Sequence, residues 1–290
     1  MTAGRPDPDA SEPTAVPTGS RTFLVGGGWD PGAAGAVHGP FLRAAGVAPR
    51  IGCLIVDEGD GAEQFARYAA VLRSVDADCT PVPLLVPLGE EFGERLGAGA
   101  DSLDGLLVCG GLTPAYQEVL GGGLPPCLAA RDLPYAGFSA GAAVAADRAL
   151  VGGWLAGGVA VCPEDTAEDL AEVEVRTGLG RVPFTVDVHA AQWGTLPRLI
   201  TAVVRDALPH GVAVDENTMV EVDARGRLAR VHGRGRAHSV RPAPGARGEV
   251  LVRSYRAGET FAVGGRPVTA PEPVGPRGSA PATTAERRPR

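Results

Sequence analysis

Apolar residues along this chain come in two rhythms, and the switching between them outlines a fold. Short unbroken apolar runs bounded by Gly, Pro or Asp read as buried strands at 22–25, 51–56, 81–86, 106–109 and 184–188, with another around Leu133-Pro134-Tyr135-Ala136. Between them, helical spacing predicts helices over 37–45 and over 64–75, where Phe65, Tyr68, Ala69 and Leu72 share a face. A third helix opens near Ala115, and an alanine-rich helix is expected from Ala140 to Leu150. Leu196, Leu199, Ile200, Val203 and Ala207 mark the face of a last one. From Val212 onward short strands follow one another at 212–214, 219–222, 228–231, 250–252 and 261–263, and read as antiparallel. The expected fold is α/β: three layers, a mainly parallel wound sheet with helices on both faces, and a C-terminal antiparallel edge. It fills one domain over 21–266. Residues 1–20, rich in Pro, Asp, Ser and Thr, and 267–290, rich in Pro, Gly, Arg and Thr, carry no such pattern and are expected to be disordered, dispensable tails.

The segment Tyr135-Ala136-Gly137-Phe138-Ser139-Ala140-Gly141-Ala142-Ala143 stands out from this rhythm. It matches G-x-S-x-G, in which a strand turns sharply into a helix and leaves a serine at the apex. The bland alternative is a small-residue turn in which Ser139 only caps a helix. A histidine able to take the serine proton would decide between them. His189 ends the apolar run Val186-Asp187-Val188, so the carboxyl ends of two strands could bring it to Ser139. His38, His210, His232 and His238 have no comparable setting. The third member, an acid to orient the histidine, stays open among Glu164, Asp165, Glu168 and Asp169, whose other reading is a solvated helix start. Asp187 is a further candidate, although strand alternation points it away from its neighbours' face. Gly110-Gly111 ends a strand, and an N–H there with that of Ala140 would make an oxyanion hole.

Composition narrows the chemistry. All 27 basic residues are arginine, which excludes the P-loop lysine, Schiff-base chemistry and a Ser-Lys pair. A net charge of −7 argues against general nucleic-acid binding. The basic run from Arg225 to Arg241 lacks aromatics for base stacking and reads as a solvated hairpin face. Gly26-Gly27-Gly28 fails the dinucleotide pattern, since Pro31 stands where its last glycine belongs, and reads as a crevice-lining loop. Metal-ligand signatures such as H-E-x-x-H are missing. The five cysteines show no C-x-x-C spacing and there is no apolar leader, so a cytoplasmic protein with reduced thiols is expected, with no membrane span.

In order and spacing, five pieces resemble the dipeptidase E and cyanophycinase family of serine peptidases, whose fold is related to class I glutamine amidotransferases. They are Gly26-Gly27-Gly28; Val108-Cys109-Gly110-Gly111-Leu112-Thr113; Gly137-Phe138-Ser139-Ala140-Gly141-Ala142; Asp187-Val188-His189; and Val214-Asp215-Glu216-Asn217-Thr218. The resemblance implies that Ser139 is the nucleophile and His189 the base, with an oxyanion hole near Gly111 and Ala140. It also implies no cofactor, and hydrolysis of a peptide or isopeptide bond next to an aspartyl residue. Counting back from Pro183, which precedes the histidine strand in similar chains, places the acid at Asp165. The segment after His189 lacks the cyanophycinase arginine and glycine pattern, so cyanophycin itself is not the expected substrate. The expected partner is a small peptide or isopeptide, with neither nucleic acid nor membrane; a homodimer is left open. Two rivals remain: an amidotransferase-like binding protein without turnover, and an α/β-hydrolase-type esterase, which shares the elbow.

Overall fold

The computed structural model describes residues 20–90 and 102–263. Apart from Ser20, the segments read as tails lie outside them. In chain order the elements are β1 (Thr22–Val25), α1 (Ala34–Ala45), β2 (Arg50–Asp57), α2 (Gly61–Val75), β3 (Thr80–Pro87), β4 (Gly105–Val108), α3 (Thr113–Leu120), α4 (Pro126–Ala129) and β5 (Tyr135–Phe138). There follow α5 (Ala140–Val144), β6 (Arg148–Gly152), β7 (Leu155–Ala156), β8 (Val159–Ala160), β9 (Glu174–Thr177), β10 (Thr185–Val188), α6 (Leu196–Arg205) and β11 (Gly211–Val214). The last are β12 (Thr218–Val222), β13 (Leu228–Gly233), β14 (Arg236–Pro242), β15 (Val250–Arg256) and β16 (Thr260–Ala262).

The central sheet has eight strands in the order β16-β13-β12-β1-β5-β4-β2-β3. β1, β5, β4, β2 and β3 run parallel, while β12, β13 and β16 add the antiparallel edge. Its inner strands are apolar on both faces because both are covered. Phe23, Val25, Ile51, Cys53 and Ile55 pack with Val37, Phe41 and Leu42 of α1 and Tyr68 and Leu72 of α2. The alternate residues Leu24, Leu54, Val56 and Val108 face Tyr116 of α3, Val144 of α5, and Val186 and Val214 of a second sheet. The three-layer α/β expectation therefore holds.

Three local expectations do not. The helix after Ser139 stops at Val144 instead of reaching Leu150, because the 179–182 segment captures its next carbonyls. Leu179 N–H donates to Val144 O, Arg181 and Val182 to Ala145 O, and Gly180 to Ala146 O. Secondly, β10 is not in the central sheet; it belongs to a four-stranded sheet ordered β10-β11-β14-β15. There β11, expected to be antiparallel, runs parallel to β10 with Val188 beside Val214. Thirdly, the arginine-rich run is not one hairpin face, since β13 and β14 join different sheets.

Two buried histidines are held neutral. His210 Nδ1 donates to Val263 O at 2.9 Å, which leaves Nε2 to accept the Ser239 hydroxyl at 2.9 Å. Burial pushes His210 down from 6.5 to about 3 and His38 to about 4. The unfolded chain would protonate both near the ordinary value, so between these limits it binds more protons than the folded one. Stability therefore falls as pH drops below about 6.5, each unit of pKa depression contributing about 1.4 kcal/mol. The urea midpoint should decline steadily from pH 7 to 4; a level midpoint would show that these histidines charge in place.

Candidate active site

β5 delivers the chain to Ser139, whose φ of 51° and ψ of −112° lie where a side chain is rarely found. Backbone bonds hold the turn: Ser139 N–H donates to Val25 O at 2.9 Å, and Ala142 and Ala143 N–H donate to Ser139 O. The two glycines of the signature are needed for space. A Cβ on Gly137 would sit 2.3 Å from Gly141 O, and one on Gly141 would sit 2.1 Å from Val108 O.

His189 follows β10 directly, also with positive φ (54°), and its N–H donates to Gly26 O at 3.0 Å. Its Nε2 lies 2.8 Å from Ser139 Oγ and its Nδ1 lies 2.8 Å from Glu216 Oε1. An ionised carboxylate can only accept, so Nδ1 carries the proton and the Nε2 lone pair faces the serine hydroxyl. Burial of the ring holds its pKa below the ordinary 6.5, against the opposing pull of Glu216.

Glu216 was quoted in the motif Val214-Asp215-Glu216-Asn217-Thr218, yet it was not among the expected acids. It sits just past the end of β11, and the parallel pairing of β10 with β11 carries it to the same rim as His189. The loop around it is bonded throughout. Asp215 accepts from Ala191 N–H and Arg236 N–H, Glu216 N–H donates to Gln192 Oε1, and Asn217 N–H donates to Gly27 O. Asp165 does not take the expected place: among the described residues it has no hydrogen bond to His189, lying exposed with Glu164 in a short 3-10 turn, 164–166. Glu168 is occupied in accepting Thr113 N–H at 2.8 Å, and burial raises its pKa. Asp187 is sealed in a buried ion pair with Arg198 at 2.7 Å. The signal for Glu216 was an acid just past a strand end next to the histidine strand; reading β11 as antiparallel hid it.

Four N–H groups in the 110–113 loop show the same division of labour. Gly110 donates to Tyr68 Oη, Leu112 to Glu58 and Thr113 to Glu168. Among the described residues, the Gly111 and Ala140 N–H groups have no protein acceptor. Both expected oxyanion donors are thus free, on the loop and helix that flank Ser139. A cleft of about 740 Å³ opens beside Gly111, and Trp193 and the carboxylates Glu58, Glu164, Asp165, Glu168 and Asp169 are among its walls. A more apolar cavity of about 230 Å³ lies behind Gly28, against Trp29, His38 and Asn217. Among the described residues no cluster of His, Cys, Asp or Glu fits a metal ion, and no helix is long and apolar enough to cross a membrane.

No protein-family model matches the chain, and no curated protein does. Solved structures that are similar include the following two. A peptidase from an acI-B1 Actinobacterium superposes with a TM-score of 0.55 at 14% identity, over 84% of this chain and 97% of that one. A candidate peptidase E from Listeria monocytogenes EGD-e gives a TM-score of 0.42 at 15% identity, over 82% of this chain and 100% of that one. The first likeness is one of fold.

The geometry makes Ser139 the group most ready to be acylated or phosphonylated. A fluorophosphonate should label it, and Ser139→Ala should remove the label. Glu216→Gln should slow labelling by ~10²–10⁴, whereas Asp165→Asn should leave it near wild type. Equal rates for Glu216→Gln and wild type would remove Glu216 from the site.

Proposed function

We propose that this chain is a serine-type peptidase that hydrolyses a peptide or isopeptide bond in a small substrate, next to an aspartyl residue, through an acyl-enzyme. The carrying observation is the continuous hydrogen-bonded chain Ser139–His189–Glu216, with 2.8 Å at each link. The fold shared with the actinobacterial peptidase supports the peptide as substrate. An intact chain of this kind also speaks against a binding protein that has lost turnover.

The steps follow from where the protons sit. Ser139 Oγ adds to the scissile carbonyl carbon while its proton passes to His189 Nε2. The carbonyl oxygen becomes an oxyanion facing the N–H groups of Gly111 and Ala140. Collapse breaks the C–N bond, and the departing amine takes the proton back from Nε2. A water then attacks the acyl-enzyme, giving one proton to His189, which returns it to Ser139 as the product leaves as a carboxylic acid and ionises in solvent. Glu216 stays ionised throughout, fixing the tautomer and steadying the imidazolium.

Charge restricts how the substrate lies. Five carboxylates line the cleft beside Gly111, so the portion lying there is neutral or basic. The aspartyl residue then occupies the other side of Ser139, since like charges in one cleft would repel.

The test is a panel of aspartyl and isoaspartyl dipeptides whose second residue is basic, neutral or acidic, run beside simple esters. Peptide turnover should fall by ~10⁴ or more in Ser139→Ala, and an acidic second residue should be the poorest. Ester turnover without any peptide turnover would favour the esterase. In kcat/KM, activity should rise with pH as His189 loses its proton, and because burial lowers its pKa the midpoint of the rise should lie below the ordinary 6.5. A profile flat from pH 4 to 8 would count against His189 as the base.

A further inference from the structure

The imidazole of His189 is fixed on more sides than its two hydrogen bonds. The indole of Trp193 lies face to face with it, the ring centroids 3.7 Å apart and the planes 7° from parallel. The glycine loop also packs closely: a Cβ on Gly27 would come within 2.1 Å of His189 Cε1. Trp193 is itself held at its main chain, because its backbone N–H donates to His189 O at 2.8 Å within the turn that follows β10. The same turn contains Gln192, whose side chain receives Glu216 N–H. Yet 39% of Trp193 remains exposed, an unusual share for an indole, and the residue lines the cleft beside Gly111.

We propose that Trp193 is a positioning residue for the base: its ring face clamps the imidazole in the plane that aims Nε2 at Ser139, and it favours the imidazolium that forms when the serine gives up its proton. This rests on the catalytic reading of Ser139 and His189. An aromatic face attracts a cation stacked on it, so the ring offsets part of the cost of charging a buried histidine. The other groups facing His189 set the background against which it acts. They are Glu216 at Nδ1, Asp187 on the same strand, the Arg198 guanidinium on α6, and Ser139 itself. Burial and Arg198 disfavour the charged ring, whereas Glu216 and Asp187 favour it. Trp193 joins the second set without adding charge to the cleft.

Leucine at 193 keeps an apolar cover but removes the ring face, while phenylalanine and tyrosine keep a face. The measurements are kcat and KM on the full chain, and the titration of His189 by NMR of the imidazole in a Ser139→Ala background, which needs no turnover. Trp193→Leu should lower kcat by about 3- to 30-fold with little change in KM, and His189 should titrate at lower pH than in the parent. Trp193→Phe and Trp193→Tyr should recover most of both. Three results would overturn the proposal: His189 titrating alike in the Leu variant and the parent, Phe and Tyr falling as far as Leu, or a change confined to KM. Should fluorophosphonate fail to label the wild type, the peptidase reading falls, yet the imidazole titrations still decide what Trp193 does to His189.

Discussion

Two sheets meet at three glycines, and the candidate site exists because nothing larger would fit there. A Cβ on Gly26 would lie 2.3 Å from Asp215 O, one on Gly27 would strike the His189 ring, and one on Gly28 would lie 2.7 Å from Asn217. Gly27 and Gly28 also have φ of 98° and 86°, which other residues adopt only with strain. Through this approach the end of β1 bonds to the loops that leave β10 and β11 of the second sheet, His189 N–H to Gly26 O and Asn217 N–H to Gly27 O, while Gly26 N–H donates to Thr218 O at the start of β12. The serine comes from one sheet, and the histidine and glutamate from the other. Their relative placement is set by main-chain hydrogen bonds across the glycine run, which side-chain motion cannot loosen.

This explains which parts of the site could be read from residues alone. Ser139 was legible because G-x-S-x-G is a local motif: Gly137 is required by the backbone of Gly141 within the turn itself, and Gly141 by Val108 of the neighbouring strand. His189 was legible because it ends an apolar run, although that run lies in the second sheet and not, as expected, in the central one. The two sheets bring their strand ends together, so the expectation of a meeting survived the wrong topology. Glu216 did not survive it. An acid beyond Val212–Val214 counts as a neighbour of His189 only if that strand runs parallel to β10, and short apolar strands carry no mark of direction. The same limit applies to the alanine-rich run after Ser139. Its helix propensity is real, but carbonyls of Val144, Ala145 and Ala146 accept from a segment more than thirty residues on, and tertiary bonding overrides propensity.

The surplus of acids near His189 raises the question of why one of them should govern it. Four of the others are tied to different donors. Asp187 is neutralised by Arg198, and that guanidinium also donates to Thr166 O at 2.7 Å, binding the histidine strand to the cleft turn. Asp215 accepts two backbone N–H groups. Glu58 and Glu168 hold Leu112 and Thr113, the two residues that follow the free Gly111 N–H. A carboxylate with an N–H or guanidinium at its oxygens has less to offer a forming imidazolium than one pointed at Nδ1. These acids therefore hold the geometry, and Glu216 is the one whose carboxylate meets the His189 ring.

That division also joins the cleft to the oxyanion loop. Glu168 reaches Thr113 N–H from a residue with φ of 56°, strained backbone that its surroundings must hold in place. The holding is done by Arg198 on Thr166 O and by Ala167 O, which accepts Gly153 N–H. A substrate group pressing on the 164–169 wall would thus push on the segment that fixes Thr113, two residues from the Gly111 donor. If the chain is the peptidase proposed above, this run of hydrogen bonds joins the cleft wall to the loop carrying Gly111, the connection through which a remote part of a substrate would reach the chemical step as well as affinity.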